Sequence, residues 1–82
     1  ANKITFLEYS VEYKILISGG DNGSLVFFNV TNYQIIKIIE NAHFNSIYSL
    51  KILKNGLLAS SSSSQTINFW NLTTLNLVRT IN

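Results

Sequence analysis

The sequence predicts an all-β protein built as two four-stranded antiparallel units in tandem. Three observations carry this reading of the 82 residues. Short segments rich in β-branched and aromatic residues alternate with turn residues about every 8 to 12 positions, the rhythm of antiparallel hairpins. The second half of the chain repeats the first at an offset of about 42 residues. No amphipathic stretch of helical length competes with the strands.

The first unit begins with Ile4 to Tyr9, where Ile4, Thr5, Phe6 and Tyr9 favour an extended backbone. Ile15 to Gly19, Leu25 to Val30 and Gln34 to Ile39 follow. The second unit holds Ile47 to Leu53, Leu57 to Ser61, Thr66 to Leu72 and Leu77 to Ile81. Between them, Asp21-Asn22-Gly23 and Lys54-Asn55-Gly56 supply residues that tolerate positive φ, as tight hairpins require. Residues 1–40 and 41–82 are therefore expected to be the two structural units.

The internal repeat needs no gap where Ile17 through Val30 aligns with Ala59 through Leu72. It continues with Ile36 over Val78, Lys37 over Arg79 and Ile39 over Ile81. Upstream, a shift of one residue matches Ile4, Leu7 and Tyr9 to Ile47, Leu50 and Ile52, with the extra residue expected in the turn around Ser10 to Tyr13. A period of about 40 to 45 residues holding four strands is the spacing of propeller blades, units that must stack on neighbours to bury their faces.

Composition narrows the function classes. An apolar content of 46% belongs to a folded chain, and the net charge of +2 arises from few charges rather than a basic stripe. Lys3, Lys14, Lys37, Lys51, Lys54 and Arg79 are dispersed, so no nucleic-acid partner is expected. Cysteine is absent, which excludes disulfides and thiolate metal sites within the chain. The densest apolar run, Ile35 to Ile39, is far below the roughly 20 residues that span a bilayer, so no membrane partner is expected either.

His43 through Leu50, Asn55-Gly56, Leu57 through Ser60, Thr66 through Asn71 and Arg79-Thr80-Ile81 together resemble a WD repeat of the β-propeller family. The likeness covers nearly the whole chain as two successive blades, with the second clearer than the first. Where the family usually carries Trp-Asp, this sequence has Trp70-Asn71 and Phe28-Asn29; in place of Gly-His it has Ala42-His43. The resemblance implies a hydrogen-bonded network of His43, Ser60 or Ser62, and Trp70. The family's Asp, six residues before the Trp, is Ser64 here and Asn22 in the first unit. A hydroxyl or amide lacks the charge-assisted strength of a carboxylate bond to imidazole, so the resemblance implies weaker staples than usual.

Other candidates read as structure. With one His, no Cys and scattered acids, no three- or four-ligand metal site is expected within this chain, and His43 is expected to be a satisfied hydrogen-bonding group. Ser60 to Ser64 lacks a strained nucleophile elbow, so no catalytic residue is assigned. Gly19-Gly20-Asp21-Asn22-Gly23 has no following Lys-Ser, Lys-Thr or helix, and reads as a hairpin turn rather than a phosphate cradle. Asn22, Asn29 and Asn71 open glycosylation sequons, yet Asn29 and Asn71 are better placed to close turns. The ten aromatic residues are expected mostly to fill the space between stacked sheets.

The resemblance implies a non-catalytic scaffold that binds other proteins, with no cofactor. Partner contacts are expected in the loops at Asp21 and Asn22, Phe44 and Asn45, and Lys54 and Asn55. An alternative is a regulatory or structural module attached to an enzyme whose active site lies elsewhere. Two blades cannot close a ring of about four to eight. With no Met and an Ala1-Asn2-Lys3 start, the chain is expected to be an excerpt completed by further blades in cis or in trans. An intracellular, cytoplasmic setting is expected, with a cytoskeletal or ciliary assembly as one possibility.

Overall fold

Eight strands form in the order read from the sequence. The computed structural model describes residues 3–82. Its strands are β1 (Ile4–Ser10), β2 (Ile15–Gly20), β3 (Leu25–Asn29), β4 (Gln34–Ile39), β5 (Ile47–Leu53), β6 (Leu57–Ser62), β7 (Ile67–Asn71) and β8 (Leu77–Ile81). They make two separate four-stranded sheets, ordered β1-β2-β3-β4 and β5-β6-β7-β8. Every neighbouring pair is antiparallel.

The repeat extends to irregularities of register. A bulge interrupts β1 between Ile4 and Phe6, and another interrupts β5 between Ile47 and Ser49. A second pair of register shifts falls between Phe27 and Phe28 and between Phe69 and Trp70. The one-residue offset upstream has its expected origin: residues 11–14 join β1 to β2, whereas only Lys54–Gly56, a 3₁₀ turn, joins β5 to β6. Asn55 and Gly56 both have positive φ there, 69° and 74°, as the turn chemistry requires.

Asn29 and Asn71 close matching turns. The Asn29 Oδ1 accepts from the Thr31 amide at 2.7 Å, and the Asn71 Oδ1 accepts from Thr73 at 2.7 Å and Thr74 at 3.1 Å. These side-chain bonds take over backbone donors and end β3 and β7 one residue earlier than expected, at the Asn itself. The chain then turns through Tyr33 and Leu75, with nearly equal φ of 61° and 62°. At the other connection, Gly20 and Ser24 close the β2–β3 hairpin through Gly20 N–H donating to the Ser24 carbonyl at 3.0 Å.

The two sheets bury opposite faces. In the first, Ile15, Ile17, Leu25 and Phe27 point into the core; in the second, Ile47, Leu50, Leu58, Ser60, Ser62, Asn68 and Trp70 are buried. Under the repeat, Ile15 and Ile17 correspond to Leu57 and Ala59, which are only half-buried, and Leu25 corresponds to the exposed Ile67. Stacking two like-oriented units requires this, because the front of one lies on the back of the next. Strand side chains alternate between faces, so adjacent residues of equivalent strands enter the same core.

Close approach and polar links hold the sheets together. A Cβ on Gly19 would lie 2.6 Å from Ile47 Cγ2, so the bare backbone of β2 makes room for the fully buried Ile47 of β5. Thr5 Oγ1 donates toward the Ile47 carbonyl at 2.7 Å and the Gly19 carbonyl at 3.1 Å. At the outer edge, the Lys37 ammonium on β4 reaches the Leu75 carbonyl and the Asn76 Oδ1, both at 3.2 Å.

The aromatic residues depart from expectation. Phe27 and Trp70 are buried, but Phe44 is 93% exposed, Tyr33 84% and Tyr48 63%. Two sheets create one inter-sheet layer, and aromatics on turns and on the two uncovered faces have nothing to pack against.

Candidate functional site

Antiparallel connectivity sorts the candidate loop residues into two groups. The β2–β3 turn and the β4–β5 loop lie at one end of the sheets, and the β1–β2, β3–β4, β5–β6 and β7–β8 turns lie at the other. Asp21, Asn22, Phe44 and Asn45 therefore share an end, while Lys54 and Asn55 sit at the opposite one. All six are exposed. The first group is also joined directly: the His43 amide donates to the Gly23 carbonyl at 3.0 Å. Gly23, at φ 85°, leaves no room for a Cβ against the carbonyls of His43 and Asn45. Asn22 is committed within its turn, its Oδ1 accepting from the Ser24 amide at 3.1 Å.

His43, Ser60 and Trp70 come together in a buried chain of hydrogen bonds. The Trp70 Nε1–H donates to Ser60 Oγ at 2.8 Å, and Ser60 Oγ lies 2.9 Å from His43 Nε2. Indole nitrogen only donates, so Ser60 Oγ accepts from Trp70 and its own O–H is left to bond His43 Nε2. Ser60 is fully buried and has no other acceptor for that proton among the described residues. The network thereby assigns the imidazole proton to Nδ1. Burial pushes the His43 pKa below its ordinary 6.5, and a hydrogen bond between the ring and the Ser60 backbone opposes that shift.

Ser62, weighed equally with Ser60 from the sequence, stands outside this chain of bonds. Its Oγ pairs with Ser64 Oγ at 2.8 Å, and the Ser64 amide donates to it at 3.3 Å. The reason is reach along the face that Ser60 and Ser62 share: Trp70 pairs with Leu58, and its indole extends diagonally to Ser60, two residues on, but not to Ser62. The first sheet has no equivalent network. Ser18 takes the place of Ser60, but Phe28 stands where Trp70 does and carries no N–H to donate.

Asn68 is a key residue that the sequence reading missed. It is 6% exposed; its Nδ2 donates to the Ala42 carbonyl at 2.8 Å and its Oδ1 accepts from Thr80 Oγ1 at 2.7 Å. The loop before β5 is thus fixed on three sides, through Ala42 to β7, the His43 ring to β6 and the His43 amide to the first sheet. The available signal was a polar residue on the same inward parity as Trp70 where the first unit has Val26. Thr5, which bridges the sheets, was also passed over.

Ser60 cannot serve as a nucleophile in this setting, because it is sealed from solvent and its oxygen is already bonded on both sides. Among the described residues no cluster of three or more His, Asp or Glu side chains is placed to hold a metal ion. No helix of the described residues is long and apolar enough to cross a membrane.

No family model matches the chain. A curated relative, "NACHT domain- and WD repeat-containing protein 1" of Mus musculus, is 29% identical over 70 residues, covering 84% of this chain and 4% of that protein. Among solved structures, the RRP9 WD40 repeats align over 99% of this chain and 26% of theirs, with a TM-score of 0.91 and 20% identity. The Cps50 (Swd1) β-propeller domain of Myceliophteria thermophila aligns over 100% of this chain and 25% of its own, with a TM-score of 0.87 and 18% identity. U3-55K gives a TM-score of 0.84 at 19% identity, over 95% of this chain and 24% of its own. The chain thus spans a small part of the mouse relative and about a quarter of each solved chain. Two four-stranded sheets, a repeat that reproduces their bulges and turns, and these superpositions make the chain two consecutive blades of the WD-repeat β-propeller fold.

Proposed function

We propose that this chain is a non-catalytic interaction module, two blades at residues 1–40 and 41–82 that present a binding surface for other proteins. One observation carries the reading: Phe44 is 93% exposed on a loop whose backbone is fixed at Ala42 and His43. An aromatic side chain held out on an ordered backbone binds with little ordering cost, as interface anchors do. Asn45 flanks it, and Asp21 and Asn22 extend the surface from the neighbouring turn. The uncovered faces support the presence of further blades, in cis or in trans, because Ile36, Ile38, Val78 and Ile81 are all about half exposed. The fold likeness agrees with a scaffold role typical of propellers.

A second reading has its own support. The mouse relative combines WD repeats with a NACHT domain by name, which favours these blades as a module beside a domain of another kind. An intracellular setting goes with both readings, and fractionation of the tagged protein tests it.

The test compares the full-length protein with its Phe44→Asp variant by affinity purification and quantitative mass spectrometry. A stoichiometric partner lost in the variant, with thermal unfolding unchanged, is the expected result. A stoichiometric partner retained at wild-type level would overturn the placement of the surface, and an activity abolished by Ser60→Ala in a still-folded protein would overturn the non-catalytic reading.

A further inference from the structure

The chain contains two Asn-Gly dipeptides, Asn22-Gly23 on the β2–β3 turn and Asn55-Gly56 on the β5–β6 turn, at opposite ends of the sheets. In this pair the backbone nitrogen of the glycine can attack the preceding carboxamide, because glycine has no Cβ to oppose rotation of the peptide between them. The two turns hold the pair in opposite ways. At Asn22-Gly23 the reacting groups are already engaged. The Asn22 Oδ1 accepts from the Ser24 amide at 3.1 Å, and the Gly23 amide donates to the Gly20 carbonyl at 3.1 Å. Gly23 is also pinned on the loop before β5, its carbonyl accepting from the His43 amide at 3.0 Å and no room remaining between it and the His43 and Asn45 carbonyls.

Asn55-Gly56 is free of such ties. Asn55 is exposed, no residue of its turn is buried, and its side chain makes no hydrogen bond among the described residues. Apart from the closure of the turn itself, Gly56 is held through its carbonyl, which accepts from the Leu72 amide at 2.8 Å and lies beyond the reacting nitrogen. Asn55 has φ 69° and ψ 23°, a left-handed conformation that asparagine tolerates but does not favour. A single 3₁₀ turn of three residues has poor hydrogen-bond geometry, so the rotation that carries the Gly56 nitrogen toward Asn55 Cγ opens little structure.

We propose that Asn55 is a self-modification site, deamidated by the Gly56 nitrogen to aspartate and isoaspartate, while Asn22 is spared. The Gly56 nitrogen gives its proton to solvent base and bonds to Asn55 Cγ. The Cγ–Nδ2 bond breaks and ammonia leaves with a proton, closing a succinimide ring. Water then adds to one of the two ring carbonyls. Breaking the ring at Cγ restores the main chain with Asp at this position; breaking it at the α-carbonyl leaves isoaspartate, with the main chain running through Cγ. Nothing is oxidised or reduced. Either product sets a carboxylate beside Lys54, and isoaspartate adds a methylene carbon to a connection of three residues. The site lies at the end opposite Phe44 and does not depend on the interaction reading.

The test ages the full-length protein at mildly alkaline pH, native and in urea, and follows both asparagines by peptide mapping with mass spectrometry. A protein isoaspartyl methyltransferase with labelled S-adenosylmethionine counts the isoaspartate formed. In the native protein Asn55 is expected to react at least about tenfold faster than Asn22, whose turn has two more hydrogen bonds to break. In urea the two rates should converge, because the protection of Asn22 belongs to the fold. The native rate at Asn55 should rise with pH, since the attacking nitrogen must lose its proton. Asn55→Gln should abolish the methyl acceptance of the native protein, because the longer side chain would have to close a larger ring. Gln65 already has φ 65° in this chain, so the variant suits the turn, whereas a Cβ at Gly56 would meet the Tyr13 hydroxyl. Should Asn55→Gln unfold, the comparison of the two asparagines in the wild type carries the test alone. Native Asn22 reacting as fast as Asn55, or Asn55 unchanged in the native protein while it reacts in urea, overturns the proposal.

Discussion

Replacing Trp70 by Phe tests the buried network at its least ambiguous bond. The substitution keeps an aromatic ring in a position that is 5% exposed but removes the Nε1–H that reaches Ser60 Oγ at 2.8 Å. The lost hydrogen bond is worth about 1 kcal/mol net, and the smaller ring forfeits roughly another 1 kcal/mol of packing. Trp70→Phe should therefore cost about 2 kcal/mol, against about 3 to 5 kcal/mol for Trp70→Ala. Ser60→Ala strips the indole of its acceptor and should cost about 2 to 3 kcal/mol, because a buried donor is left unpaired. Once the N–H is gone, the Ser60 oxygen no longer serves it, so the double variant should be milder than the sum by about 1 kcal/mol. Urea unfolding midpoints at constant m-value give all four corners of the cycle. Additivity within about 0.3 kcal/mol would falsify the network as an energetic unit, whatever the single costs.

Two further outcomes follow from the same geometry. Burial lowers the folded-state pKa of His43 below 6.5, so the unfolded chain takes up the proton first as pH falls. The contribution of His43 is fully present above about pH 6.5 and is lost on acidification toward its folded pKa, with a slope of at most about 1.4 kcal/mol per pH unit; urea midpoints should fall over that window in the wild type, and His43→Gln should flatten the fall. Gly23→Ala should cost about 2 to 4 kcal/mol, because φ is 85° and the new Cβ would meet the His43 carbonyl. Gly20→Ala is the control: the one close contact of its Cβ is with a side-chain atom, Asn22 Oδ1 at 2.9 Å, and the exposed bond from that oxygen to the Ser24 amide gives way at a loss of about 1 kcal/mol. Equal midpoints for the two glycine variants would contradict the loop anchoring described above.

The architecture was legible because its determinants are local. Alternating β-branched and aromatic residues, Asn-Gly turns and Asn residues that cap strands act within a few positions, and the eight expected strands differ from the observed ones by at most one residue at either end. The repeat was legible for the same reason, down to the extra residue between β1 and β2. Asn68 escaped notice because its value lies in distant partners, the Ala42 carbonyl and Thr80, which its inward parity with Trp70 on β7 does not reveal. Ser60 and Ser62 could not be told apart, since both belong to one face of one strand and only the position of Trp70 across β7 chooses between them.

Sequence alone thus determined the strands, their hairpin order and the equivalence of the two units. It left open which face of each unit is covered, because a repeat presents the same pair of faces twice. Tertiary stacking decided that the Ile17 face of the first blade lies against the Ser60 face of the second. The same stacking drew His43, Ser60 and Trp70 into one buried chain of bonds and brought the Phe44 loop beside the Asp21 turn. The physical reason is distance along the chain: hydrophobic alternation and turn chemistry are read over a few residues, whereas close packing and buried hydrogen bonds join groups that only the assembled sheets bring within 3 Å.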